Sequence, residues 1–432
     1  MSYFHIITFG CKVNQCDSAG VAHGFLARGW QAAPAGVAPD LILVNTCTVT
    51  GRADQQARQA VRRLARQHPG APLWVTGCYA ERAAAAVAAL PGVTAVVGNA
   101  GKVWLADLAT KTSSPANPQL DRSARPPGEA FQPWPVQTLP GHTRLWLKVQ
   151  DGCSHRCSYC IVPQVRGPAR SMAPPAVTAA LQEAAAQGYQ EVVLTGVDLG
   201  QYGQDLMPPD SLEALVRRLK ERAWPFRVRA SSLEPQEITP ALLKECATWP
   251  EFCPHFHLPL QSGAAAVLAA MGRPYLPQDF RELVQEIHRQ FPDIAVGLDI
   301  LAGFPTETTT AFEATQALVA SLPVAYLHVF PFSPRPATAA AQMKPLPGKE
   351  IRGRAQIMRH LGLQKKQEFQ HRQLGKIREV LVEGPAPQKG WLKGLSDNYL
   401  RVVFPGPLEW RNRRLRVRLQ RLQGEVMVGE AV

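Results

Sequence analysis

Six of the nine cysteines in this 432-residue chain fall into two sets of three whose placement suits metal ligation. Cys153, Cys157 and Cys160 lie in Asp-Gly-Cys-Ser-His-Arg-Cys-Ser-Tyr-Cys, a C-x-x-x-C-x-x-C run that presents three thiols from one turn of loop. Cys11, Cys47 and Cys78 are far apart, yet each comes just after a short apolar run with the pattern of a strand. Three thiolates can hold a four-iron, four-sulfur cluster and leave one iron without a protein ligand, which is where chemistry can occur. Zinc or buried thiols are the alternative for the clustered set, although structural zinc takes four ligands, usually in paired arrangements. Cys16, Cys246 and Cys253 are unclustered and read as small apolar packers.

The elements around the first set explain how distant cysteines could meet. His5 to Phe9 leads to Cys11, Leu41 to Thr46 to Cys47, and Leu73 to Gly77 to Cys78, with helical patterns at Arg52 to Gln67 and Tyr79 to Leu90. Strand, helix, strand at this spacing implies parallel pairing, with all three cysteines at the carboxyl edge of one sheet. From about Thr112 to Pro140 the chain is rich in Pro, Ser, Asn and Gln without periodicity and reads as a linker. A second βα series follows, with strand-like runs at Arg144 to Val149, Glu191 to Thr195, Phe226 to Ala230, Phe256 to Leu260, Ile294 to Ile300 and Tyr326 to Phe330. Helical patterns such as Pro175 to Ala186 and Pro277 to Gln290 separate them, so a partial parallel barrel is expected, with its site at the strands' C-terminal ends. A long helix over about Gly348 to Gln373 then leads to four alternating runs between Lys376 and Leu419, which predict a small antiparallel barrel. The expected fold class is α/β, divided as 1–111, a linker at 112–140, 141–370 and 371–432.

Composition bounds the setting. No secretory signal opens the chain, and no apolar run approaches the roughly 20 residues that span a bilayer, so a soluble, cytoplasmic protein with no membrane partner is expected. In a reducing cytosol clustered cysteines are more often ligands than disulfides. The net charge of +13 points to a polyanionic partner. The excess is concentrated after His371, where 12 Lys and Arg face 6 Asp and Glu.

The C-x-x-x-C-x-aromatic-C run, with Tyr159 as its aromatic, resembles the signature of the radical S-adenosylmethionine superfamily. Gly-Cys-Lys-Val-Asn at 10–14, Asn-Thr-Cys-Thr-Val-Thr at 45–50, Thr-Gly-Cys-Tyr-Ala at 76–80 and the run from Asp151 to Ser171 resemble the methylthiotransferases within it. So do Leu-Thr-Gly-Val-Asp-Leu at 194–199, Ser-Ser-Leu-Glu-Pro at 231–235, His-Leu-Pro-Leu-Gln-Ser-Gly at 257–263 and Gly-Phe-Pro-Thr-Glu-Thr at 303–308, and the tail resembles the family's TRAM domain. The likeness therefore covers essentially the whole chain. Three subgroups modify isopentenyladenosine-37 of tRNA, an aspartate of a ribosomal protein, or N6-threonylcarbamoyladenosine-37 of tRNA. The runs Gly-Cys-Lys-Val-Asn, Leu-Thr-Gly-Val-Asp-Leu-Gly-Gln-Tyr-Gly at 194–203 and His-Val-Phe-Pro-Phe-Ser-Pro-Arg at 328–335 resemble the third, MtaB-like subgroup.

The resemblance implies an enzyme with two 4Fe-4S clusters and S-adenosyl-L-methionine, acting in the anticodon loop of tRNA. Cys153, Cys157 and Cys160 would hold the radical-generating cluster, and Cys11, Cys47 and Cys78 the sulfur-bearing one. The methylthio group would be joined to C2 of the adenine. The other outcomes left open are the same chemistry on the first two substrates and a non-catalytic, metal-stabilised RNA-binding protein.

Position at strand ends marks further cofactor-binding candidates: Thr195, Gly196, Asp198, Ser232, Gln261, Gly303 and Glu307, beside Tyr159 in the loop. Gly196 and Gly303 could equally serve tight turns. His255 and His257 alternate on one run, as metal ligands would, but no partner set accompanies them, which favours a core or surface polar role. Trp391 and Tyr399, beside Lys393 and Arg401, are either base-stacking platforms or barrel core. Arg411, Arg413, Arg414, Arg416 and Arg418 form either a phosphate-contacting stripe or a solvated edge, and the net charge favours RNA.

Overall fold

A computed structural model describes residues 2–111, 119–121, 131–136 and 143–432. The chain divides into two compact units, one drawn from residues 1–137, 148–172 and 333–341, the other from 138–147, 173–332 and 342–432.

The first unit is built on a parallel sheet in the order β2-β1-β3-β4-β5-β6. Its strands are β1 (Tyr3–Thr8), β2 (Gln31–Ala32), β3 (Leu41–Thr46), β4 (Leu73–Gly77), β5 (Val93–Val97) and β6 (Gln119–Asp121). Every residue of β3 and β4 is buried, as continuous apolar runs must be in a parallel sheet covered on both faces. On one face Ile42, Val44 and Val75 pack on Val61 and Leu64 of the helix Gly51–Gln67; on the other Leu43 and Trp74 pack on Phe25 and Leu105. The helix expected over Tyr79 to Leu90 is two short ones, Cys78–Arg82 and Ala84–Ala88, broken at Ala83, whose φ is −137°. Part of the expected linker is structured. It supplies β6, and Trp134 packs beside Phe4 and Phe25, on the core of one face.

The loop with Cys153, Cys157 and Cys160 belongs to this unit. Its base is closed by β8 (Gln150–Asp151) and β9 (Arg170–Ser171), paired antiparallel, just after β7 (Leu145–Lys148). A unit assembled from three separated stretches differs from the boundaries read along the chain, because contacts between side chains far apart in sequence draw 148–172 and 333–341 onto the first sheet.

The second unit contains two three-stranded sheets, β11-β10-β7 and β12-β13-β14. Here β10 is Glu191–Thr195, β11 Arg227–Ala230, β12 His255–Gln261, β13 Ala295–Ala302 and β14 Tyr326–Pro331. The pairs β10/β11, β12/β13 and β13/β14 are parallel, and single bridges at Val228 to Phe252 and Ser232 to His257 join the two sheets. The helix Gly348–Arg372 leads to a closed five-stranded barrel in the order β15-β16-β17-β19-β18. These strands are β15 (Ile377–Pro385), β16 (Trp391–Ser396), β17 (Arg401–Pro405), β18 (Arg414–Gln423) and β19 (Val426–Ala431). The barrel is not wholly antiparallel: β17 and β19 close it as a parallel pair, with Val402 opposite Met427. Val380, Val402, Phe404, Val417 and Met427 fill it.

Arg227 and Arg229 of β11 fasten this barrel to the parallel strands. Both pair with Glu191 of β10, and their remaining donors go to the carbonyls of Glu379, Leu395, Ser396 and Asp397. Buried ions are tolerable only when hydrogen bonds satisfy them in this way. No helix among the described residues is long and apolar enough to cross a membrane.

Candidate functional site

Cys11, Cys47 and Cys78 follow β1, β3 and β4, which are neighbours in the sheet, so the three thiols emerge at one carboxyl edge. Two glycines bring their loops together. Gly10 has φ +103°, and a Cβ there would lie 2.8 Å from Cys47 Cβ. Gly77 has φ +95°, and a Cβ there would lie 2.3 Å from Thr46 O. Asn14 locks the corner, its Nδ2 donating to Phe9 O at 2.7 Å and Thr46 O at 3.0 Å. Cys47 and Cys78 are buried and Cys11 is exposed. Burial pushes the Cys47 thiol up to about 12, against the backbone N–H of Val49 and with the help of Cys78 and Cys11. Three thiols from adjacent strand ends, each influencing the next, fit a cluster with one open iron, and binding would displace the Cys47 proton.

The second set is held with similar economy of backbone. Gly152 has φ +76° and sits so close to Pro168 O that an added Cβ would lie 2.0 Å away. Cys153 N donates to Gly167 O at 3.1 Å, Cys160 N to Cys157 O at 3.1 Å, and Ser158 O accepts from Ala340 N at 2.8 Å. Tyr159 and all three cysteines are half-buried.

The two sets share a wall. Cys78 packs against Ile161 and Val165, directly after the second set, and Asn99 Nδ2 donates to Val165 O at 2.7 Å while lying 3.9 Å from Cys78 Sγ. Behind this wall lies a buried charge network that the sequence did not reveal. Asp17 takes Lys102 at 2.8 Å, Lys148 at 2.5 Å and Arg166 at 3.1 Å; Asp151 takes Arg166 at 2.7 Å. Burial alone would raise the Asp17 carboxyl, yet Lys102, Lys148 and Arg166 hold it well below the usual carboxylate range. Beside Cys47, Thr48 Oγ1 donates to Asp54, which pairs with Arg82 at 2.7 Å and Arg335 at 2.5 Å. Asp151 and Arg166 lie inside the motif run from Asp151 to Ser171, a signal that could have flagged them.

In the second unit, the candidates at strand ends take up distinct positions. Thr195 Oγ1 donates to Val193 O at 3.0 Å, and Gly196 N donates to Ser231 Oγ at 3.3 Å, the neighbour of Ser232. Asp198 is buried and accepts from Gln201 at 2.5 Å. Gln261 has φ +65° at an irregular end of β12, which turns it out of the strand's register. Glu307 is engaged by its own loop: it accepts from Gly303 N at 2.8 Å and pairs with Arg354 at 2.8 Å, while burial pushes its carboxyl up. Gly303 has φ +80° with Ile351 against it.

His255 and His257 have the partners their spacing lacked. His257 bonds Asp299 Oδ1 at 2.8 Å and Tyr326 Oη at 3.2 Å, His255 bonds the same Tyr326 Oη at 2.8 Å, and half-exposed His328 lies 3.4 Å from Asp299. Tyr399 stacks on His255 with centroids 4.2 Å apart and lies under Arg229, so it serves the interior. Arg416 and Arg418 are exposed on β18, whereas Arg414 is tied to Glu379 and to Pro225 O. Cys16, Cys246 and Cys253 are buried.

Two family models match, "Uncharacterized protein family UPF0004" over residues 3–98 and "Radical SAM superfamily" over residues 147–319. The chain is 31% identical over 421 residues to the threonylcarbamoyladenosine tRNA methylthiotransferase MtaB of Bacillus subtilis, spanning 96% of this chain and 93% of that one. It is 34% identical to the protein of that name from Aquifex aeolicus, spanning 92% and 96%. Among solved structures, the radical S-adenosylmethionine methyltransferase TsrM of Kitasatospora setae shares the fold at 17% identity, with TM-score 0.56 over 77% of this chain and 75% of that one. A radical S-adenosylmethionine domain implies that cofactor and a 4Fe-4S cluster. With full-length relatives above 30% identity and the cysteine loop in place, the chain belongs to the MtaB-like branch of the radical S-adenosylmethionine methylthiotransferase family.

Proposed function

We propose that this protein adds a methylthio group to C2 of N6-threonylcarbamoyladenosine at position 37 of tRNA, in the cytoplasm, using two 4Fe-4S clusters and S-adenosyl-L-methionine. The observation that carries this reading is the gathering of Cys11, Cys47 and Cys78 on adjacent strand ends, with Cys78 packed against the helix that follows Cys160. When bound, the clusters supply an open iron for the sulfur and an electron for cleaving S-adenosylmethionine. Cys153, Cys157 and Cys160 would hold the latter cluster from one loop, with Tyr159 among the groups that bind the cofactor. The strand-end groups Thr195, Gly196, Asp198, Ser232 and Gln261 bind the cofactor, and the Glu307 to Arg354 pair keeps the Gly303 turn in shape. By this reading residues 1–111 form the methylthiotransferase domain, 141–370 a partial TIM-like radical S-adenosylmethionine domain, and the closed barrel of 371–432 a TRAM domain whose exposed arginines meet the anticodon-loop phosphates.

Two measurements test it. Anaerobically reconstituted protein should bind about eight irons, two cubanes of the kind that cysteine sets hold. Mass spectrometry of tRNA nucleosides from cells with and without the gene should show loss of the 2-methylthio derivative of threonylcarbamoyladenosine. Loss of the methylthio derivative of isopentenyladenosine instead, or an unchanged tRNA profile, overturns the substrate. Cys11→Ala should still release 5'-deoxyadenosine but make no modified nucleoside.

A further inference from the structure

His257, Asp299 and His328 stand on one face of three neighbouring parallel strands, β12, β13 and β14. Alternation along β14 settles which face. Leu327, between Tyr326 and His328, meets Gly362 of the helix Gly348–Arg372, so the two rings point the other way. Gly297 leaves room on that face for the Tyr326 ring, since a Cβ there would lie 2.1 Å from Tyr326 Cζ.

One ligand atom from each of the three residues lies within 4.8 Å of the other two. His257 Nε2 is 2.8 Å and His328 Nδ1 3.4 Å from the same carboxylate oxygen, Asp299 Oδ1. Ligands about 2.1 Å from a tetrahedral zinc ion stand about 3.4 Å apart, so the His328 contact has the spacing of a shared ion and the His257 contact has to widen. Two imidazoles and a carboxylate suit zinc and its first-row neighbours, whereas calcium and magnesium take oxygen ligands.

The hydrogen bonds behind His257 suit the same role. Its Nδ1 lies 3.2 Å from Tyr326 Oη, which lies 2.8 Å from His255 Nε2. When His257 donates to Tyr326 and Tyr326 to His255, each bond has one donor and one acceptor, and His257 Nε2 turns a lone pair toward the Asp299 carboxylate. Two acceptors facing each other at 2.8 Å need a cation between them. A metal ion supplies it, and the partner of the far nitrogen is what fixes the tautomer of a ligating histidine. The His328 side chain is 55% exposed, so an ion there keeps positions open for water or for an oxygen of a bound molecule.

We infer that His257, Asp299 and His328 bind one divalent transition-metal ion, with Tyr326 as the positioning group that aims His257. The site lies wholly in the second unit and is independent of what the cysteine sets hold.

The test uses untagged full-length protein, its iron reconstituted anaerobically, equilibrated with Zn2+ and freed of excess metal. It should retain one zinc per chain, and X-ray absorption at the zinc edge should show nitrogen and oxygen ligands at about 2.0–2.2 Å without a sulfur shell at about 2.3 Å. His328→Asn, at an exposed position, should fold and lose that zinc. Tyr326→Phe should weaken zinc binding about 10–100-fold with the same ligand shell. His360→Asn, exposed on the helix Gly348–Arg372, should change nothing. Absence of retained zinc, a sulfur shell alone, or zinc that survives His328→Asn overturns the site and leaves a metal-free hydrogen-bonded cluster; unweakened binding in Tyr326→Phe overturns the positioning role. A preparation that takes up no iron contradicts the reading of the cysteine sets instead, and there the one zinc lost in His328→Asn still decides the matter.

Discussion

Arg229 Nε lies 2.9 Å from Glu191 Oε1, and neither side chain meets solvent. The pair ties neighbouring parallel strands, and the same guanidinium reaches Asp397 O and Ser396 O in the closed barrel. Arg229→Met leaves Glu191 with less of its counterion and two carbonyls without donors. Breaking a buried pair by removing one partner costs about 3–5 kcal/mol. The second unit should therefore melt earlier by differential scanning calorimetry, with Arg229→Lys intermediate because it keeps the charge but loses the planar fork.

Acid should act through the same carboxylate. Burial alone would raise the Glu191 carboxyl, but Arg229 and Arg227 hold it far below its ordinary value, and His257 does the same for Asp299 against its own burial. A depressed carboxyl contributes stability that is fully present above the unfolded value, about 4 for either carboxyl type, and is lost as pH falls below it. These two carboxylates contribute no change between pH 7 and about 5, and the melting temperature should fall steeply below that. In Glu191→Gln the whole curve should lie lower and fall less steeply.

Gly70 and Gly77 separate backbone strain from crowding. Both have positive φ, but a Cβ at Gly70 meets nothing within 4 Å, whereas one at Gly77 meets Thr46 O at 2.3 Å. Gly70→Ala should cost about 1 kcal/mol and leave the iron content alone. Gly77→Ala should push the start of Cys78–Arg82 off the Cys47 loop, and reconstituted protein should lose the first cluster, retaining about four irons.

Exposed arginines on β18 should behave differently from the tied one. Arg416→Ala and Arg418→Ala together should flatten the dependence of log K on log salt for RNA binding by about 0.7–0.9 per phosphate contact removed, with little effect on melting. Arg414→Ala should lower the melting temperature, because it releases Glu379 and Pro225 O.

The parts of the fold legible in the sequence are those written in local chemistry. Leu41–Thr46, Leu73–Gly77 and Glu191–Thr195 are short, mainly apolar runs with sharp ends, and their bounds match the expected ones. Edge strands such as Gln31–Ala32 have no periodicity, because pairing with Tyr3 and Phe4 makes them strands. Both cysteine sets stood out because few residue types ligate metals. The contact between Asp17 and Lys148 spans 131 residues, and nothing in a linear pattern marks either as buried until the other is in place. The partner set of His257 was hidden for the same reason, being spread over β13 and β14.

The first unit is stitched from three separated stretches, and the last of them begins at residue 333. A chain emerging from the ribosome therefore makes Cys11, Cys47 and Cys78 early but receives Arg335, the partner of Asp54 beside Cys47, only after most of its length has been made. Until then the thiols of the unit stand in an unfinished scaffold. The order of synthesis thus places completion of the first unit late, and a chain cut short before residue 333 would carry all six candidate ligands while lacking part of the frame around them.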